Sequence, residues 1–102
     1  MLYNINANIC FGGDSIKIVV KPIEVVVWTD VKGNIHPVRF KITNEDESNS
    51  VVKIDKVISV DKGKLAGNEM LVFKCQSVIN EVEKLYEIKY DLKSCKWILY
   101  KI

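Results

Sequence analysis

His36 is the only histidine in the sequence, and any acid–base or zinc chemistry would have to be built around it. It stands beside Pro37, directly after a turn signal, where an exposed or partly packed imidazole is expected. No second histidine and no Cys-x-x-Cys pair accompanies it, so no metal site is expected. The three cysteines, Cys10, Cys75 and Cys95, are odd in number and widely spaced, which is not a disulfide framework. They read as buried, reduced thiols that pack as small apolar groups. Glu45, Asp46 and Glu47 cluster in one loop but lack the spaced acids, central glycine and closing glutamate of a calcium loop. The stretch 61–69 has two glycines and two lysines without the Gly-Lys-Ser/Thr ending of a phosphate loop, and reads as a plain connection. No cofactor is implied. Convergent titratable groups are missing, so an enzyme ranks last among the possible functions.

The basic residues offer a different chemistry. Fifteen of them face thirteen acids, for a net charge of +2, too balanced to demand a polyanionic partner. Yet Arg39, Lys41, Lys53, Lys74 and Lys96 all fall on the polar side of expected strands. On neighbouring strands they would form a stripe for nucleic-acid phosphates, and small barrels add exposed aromatics that stack on bases. Phe40, Phe73, Tyr86, Tyr90 and Trp97 fall on the expected inner face, which leaves Tyr3, Trp28 and Tyr100 for stacking. Glu83, Glu87 and Asp91 form a surface charge ladder with Lys74 or Lys96 as cross-strand partners.

The elements that must position these residues are strands. Period-two alternation dominates, the mark of strands with one wet and one buried face. Tyr3, Ile5, Ala7, Ile9 and Phe11 alternate with polar residues, Gly12-Gly13-Asp14-Ser15 turns the chain, and Ile16, Ile18 and Val20 resume. Residues 1–22 therefore read as an N-terminal hairpin or arm. Pro22 is expected to interrupt pairing and to mark its boundary with a main body over 23–102. Val25 to Trp28 is a run suited to a strand covered on both faces. Asp30 to Asn34 is a turn, with Gly33 at a left-handed position. A return strand follows with Val38, Phe40 and Ile42 inward. Val51 to Val60 reads as one strand with a bulge or sharp bend near Lys56-Val57. Met70 to Ile79, a turn at Asn80-Glu81, a strand through residues 82–92 and a last strand from Cys95 to Ile102 complete the chain. Val82, Leu85, Tyr86 and Leu92 fit a helical stripe, but Ile88 and Tyr90 fall off it, so the strand reading is preferred.

The expected fold is one all-β domain, a small antiparallel meander or barrel of seven or eight short strands without a major helix. The strands at Val25–Trp28 and Trp97–Ile102 are apolar on both faces and need cover. Val25, Val27, Trp28, Ile98 and Tyr100 are thus candidate interface residues for a protein partner or a second copy. A non-catalytic interaction module is the leading expectation and a nucleic-acid-binding barrel the alternative. Neither a secretory opening nor an apolar run of membrane-spanning length occurs, so a cytoplasmic protein without a membrane partner is expected. Heavy Ile, Lys and Asn use with a single Arg suggests an AT-rich bacterial genome.

The stretch Trp28 to Ile42, with Ile54-Asp55-Lys56-Val57, Phe73-Lys74-Cys75-Gln76 and Trp97-Ile98-Leu99, resembles small uncharacterised β-barrel proteins of clostridia-like Firmicutes. The resemblance covers residues 24–102. It implies a barrel fold and no activity.

Overall fold

The computed structural model describes residues 17–44 and 46–102. The expected hairpin strand and turn over residues 1–15 lie outside them, as do Tyr3, Cys10 and Glu45. Seven strands follow in order: β1 (Ile18–Thr29), β2 (Ile35–Thr43), β3 (Asn49–Lys53), β4 (Lys56–Leu65), β5 (Asn68–Ile79), β6 (Val82–Asp91) and β7 (Trp97–Lys101). They form one antiparallel sheet in the order β3-β2-β1-β7-β6-β5-β4, curled into a half-barrel. No helix occurs among the described residues, and 82–91 is a strand as the alternation requires.

Four irregularities curl the sheet. Each adds one residue to one strand of a pair, which sharpens the local twist. In β1 the shift lies between Ile18 and Lys21, where Val20 has a positive φ. In β2 the extra residue is Val38, between Pro37 and Arg39. In β4 it is Ile58 and in β7 it is Tyr100. The bulge in β2 corrects the expected inward set. Val38 is only half-buried, and Pro37 takes the buried position opposite Val27.

The sheet's two ends meet at a corner. Only Ile54 and Asp55 separate β3 from β4, which lie at opposite ends of the strand order. Ile54 donates its amide to the carbonyl of the bulged Val38, and Asp55 donates its amide to Gln76. The Asp55 carboxylate accepts from the Val78 amide, and the Ser77 hydroxyl donates to the Lys53 carbonyl at 2.6 Å. The bulge or bend expected near Lys56-Val57 is therefore two features, a corner at residues 54–55 and a bulge at Ile58.

The concave face holds the core. Phe40, Ile42, Val52, Phe73, Cys75, Ile79, Tyr86, Ile88, Trp97 and Leu99 are buried there. Phe40 and Tyr86 meet edge to face across the interior with ring centroids 5.6 Å apart. Trp97 touches both Phe73 and Tyr90. Leu99 and Trp97 sit on β7, which lies centrally between β1 and β6 as its composition suggests.

Several expectations change. β1 runs unbroken through Pro22, so no boundary falls there. Pro22 lies opposite Ile98 of β7, and β2 begins to pair with β1 only at Glu24. The stretch 61–69 is not a loop. β4 continues to Leu65 and returns from Asn68 through a two-residue turn, Ala66-Gly67, both at positive φ. Cys95 does not pack inward. It lies exposed in the turn before β7 at positive φ, whereas Cys75 is buried. Val26, Val27 and Trp28 are exposed, and of the run Val25–Trp28 only Val25 packs against the core.

The turn Asn80-Glu81 forms as expected, with φ of 51° and 67° between the paired Ile79 and Val82. A two-residue hairpin turn with both φ positive favours Asn-Gly, and glutamate at its second position carries a Cβ penalty. Glu81→Gly is expected to stabilise the fold by about 1 kcal/mol, read as a higher urea midpoint with an unchanged m-value.

Candidate interaction surfaces

The β1–β2 hairpin tip is built by one carboxylate. Asp30 Oδ1 accepts the amides of Lys32 and Asn34, each at 2.9 Å, and Gly33 takes φ 90° to close the turn. Asp30 Oδ2 lies 3.1 Å from His36 Nε2 and also accepts from the Asn34 side chain. The His36 bond, ahead of the Asn34 and Lys32 bonds, holds the Asp30 carboxyl down to about 2. The other partner of His36 is Trp28, directly opposite on β1. The rings stack with centroids 4.1 Å apart and planes 18° from parallel. Asp30 thereby fixes His36, and His36 fixes the indole face. Turn, imidazole and indole form one connected tip, and Trp28 remains 55% exposed.

The depressed pKa of Asp30 sets an acid response. Its bonds hold above the ordinary aspartate range, near 4, and are lost as pH falls through about 2. As pH falls through about 2 the Trp28–His36 stack is expected to loosen, seen as a shift of the Trp28 indole NMR resonance. In Asp30→Asn that acid step should be absent.

The convex face of β1–β3 continues from this tip. Val26, 47% exposed, lies opposite Arg39, and Arg39 lies opposite Lys53. In the next row Glu24, Lys41 and the exposed Val51 stand side by side, with Lys41 Nζ 3.1 Å from Glu24 Oε2. Trp28, Val26, Arg39 and Lys53 therefore share one surface.

The remaining expected site residues lie elsewhere. Lys74 is on β5 opposite Glu87, with β1, β7 and β6 between it and β2 in the strand order. Lys96 is exposed ahead of β7. The basic stripe thus shrinks to Arg39, Lys53 and the paired Lys41. Val25 faces the core, and Val27 has the inner parity near the hairpin end. Ile98 and Tyr100 are half-buried on the convex side of β7, away from Trp28. Tyr100 is occupied as well, since the nearly buried Lys89 places Nζ 3.5 Å from its ring centroid. The expected charge ladder on β6 is partly sunk. Glu87 is buried and pairs with Lys101 at 3.2 Å instead of with Lys74 or Lys96.

Sequence reasoning missed two features. The Asp30–His36 pair spans six residues across a turn, and its signal was an acid that could cap the turn and reach the first residues of β2. The second is a cavity of about 490 Å³ between the hairpin tip and the strands β4 to β6, lined by His36, Pro37, Val57, Leu71, Phe73 and Tyr90. It is the open mouth of the half-barrel, and its walls are mainly apolar.

Among the described residues no group of three or more His, Cys, Asp or Glu could hold a metal ion. Asp46 accepts from the Ser48 amide and hydroxyl and so builds its own loop. Burial pushes the Cys75 thiol up to about 12, which keeps it protonated and unreactive at neutral pH. No helix among the described residues is long and apolar enough to cross a membrane. Comparison with protein-family models, curated proteins and solved structures gives no match.

Proposed function

We propose that this chain is a non-catalytic interaction module of the bacterial cytoplasm, and that it captures a protein partner on the convex face of β1–β3. The observation that carries this reading is Trp28, a large exposed ring stacked on His36, which Asp30 in turn bonds, on the same surface as Val26 and Arg39. Tryptophan and arginine dominate binding hot spots, because they bury much area or many donors at one point. A ring already fixed loses little side-chain entropy on association. His36 could act as a base in principle, yet Asp30 and Trp28 occupy it in building the tip, which favours a binding role over catalysis.

A photo-crosslinking residue at Val51, used in cells of the encoding organism, tests the proposal. A discrete adduct is expected with the native chain and with Lys93→Ala, and its loss with Trp28→Ala. An adduct pattern indifferent to Trp28 would refute the reading.

A second reading rests on the direct neighbours Arg39 and Lys53 beside Trp28. Aromatic stacking with adjacent cations is how single-stranded nucleic acids are held without sequence preference. Two phosphate contacts would give a log–log salt slope of about −1.4 with labelled single strands. Absence of binding at low salt removes this alternative.

A further inference from the structure

We propose that the outer edge of β4 is a self-recognition site, where a second copy of this chain pairs antiparallel about a two-fold axis, Lys56 opposite the partner's Asp61 and Asp61 opposite the partner's Lys56. Among the described residues β4 pairs with β5 alone, and its other side meets no strand. An edge of ten residues is long for one that no described strand covers, and it invites pairing.

The sequence along this edge is self-complementary. Asp55-Lys56 and Asp61-Lys62 bracket Val57-Ile58-Ser59-Val60. Laid against its own reverse, each acid meets a lysine and Val57 meets Val60. In a regular strand this match would fail, because residues five apart point to opposite faces. The bulge at Ile58 removes the conflict. Lys56 pairs with Gln76 and Asp61 with Val72, so both stand on the convex face. Val57 pairs with Cys75 and Val60 with Phe73, so both stand on the concave face. Charge therefore meets opposite charge on one side of the joined sheet, and valine meets valine on the other. Ile58 and Val60, 49% and 51% exposed, would leave water in the process.

The same residues exclude other strands. Lysines and a bulge on an edge discourage foreign pairing. A strand with acids at the matched positions escapes that repulsion, and this chain carries one. A slip of one residue would place every side chain on the wrong face, which fixes the register. The surface around Trp28 plays no part.

Sedimentation equilibrium of the full chain, over a concentration series, tests the pairing. The native chain is expected to dimerise, and its dimer to weaken as salt rises. K56E and D61K each place like charges opposite one another twice, and each should weaken the dimer by about 10-fold or more. An equimolar mixture of K56E and D61K restores both attractive pairs and should recover a heterodimer. The double variant K56E/D61K should recover the homodimer. Far-UV circular dichroism shows whether each variant is folded, and both positions are exposed. Trp28→Ala should dimerise like the native chain, so failure of the partner-binding reading is seen separately. A native chain that stays monomeric throughout, a dimer unmoved by K56E, or a mixture that fails to re-form the dimer would overturn the proposal.

Discussion

Phe40→Ala should lower the unfolding free energy by about 3–5 kcal/mol, measured by urea denaturation. The Phe40 ring is fully buried, and it sits opposite Val25 and Val52 on its neighbouring strands. It also reaches Tyr86 across the interior, so it joins the β1–β3 half of the curl to the β5–β6 half. Two bracing strands and a ring beyond them cannot collapse far into the gap, which places the loss toward the upper part of the range. A domain of this size holds about 5–15 kcal/mol, so one substitution removes a large share. Phe40→Leu keeps most of the volume and should cost less than half as much. Equal costs for the two variants would mean that the ring does not brace the halves.

Ser77→Ala is expected to cost about 2–3 kcal/mol, although it removes a single oxygen atom. The Ser77 hydroxyl donates to the Lys53 carbonyl and meets the Tyr86 hydroxyl inside the core. Alanine leaves both partners without that contact in a place where water is scarce. The corner should loosen as well, so faster hydrogen exchange at Ile54 and Asp55 is the local readout. Tyr86→Phe leaves the bond from Ser77 to Lys53 in place and should spare those amides. A double-mutant cycle separates the two links. Burial raises the Tyr86 hydroxyl well above the usual phenol range, so it stays a neutral partner across physiological pH.

Alternation made most of this fold readable, because inward side chains at every second position leave a record in composition. Phe40, Phe73, Tyr86, Trp97 and Leu99 were legible for that reason, as were the turns at Asp30–Asn34 and Asn80-Glu81. The bulge at Ile58 showed as a break in that alternation near Lys56-Val57, but the bulge in β2 left no such record. Val38 and Pro37 exchanged roles because one extra residue reverses parity, and nothing in their types announces it. Ala66-Gly67 was hidden because alanine is a poor residue for positive φ, so the turn lacked its usual first letter. The candidate surface was half legible. Arg39, Lys41 and Lys53 could be found by parity. Placing Lys74 and Lys96 apart from them required the strand order, a long-range property that periodicity does not carry. Trp28 itself had uncertain orientation until the Asp30–His36–Trp28 stack supplied a reason for one face.

The ladder between β1 and β7 has a kinetic consequence. Ile18 pairs with Lys101 and Ile23 with Trp97, so its two sides are separated by most of the polypeptide. Every other ladder joins strands consecutive in sequence, and each can zip from its own turn. Bringing β1 to β7 first would pay the loop-closure entropy of nearly the whole chain, so the seam forms late and follows assembly of the hairpins on either side. Substitutions along it, such as Leu99→Ala, should then accelerate unfolding while leaving the refolding rate nearly unchanged.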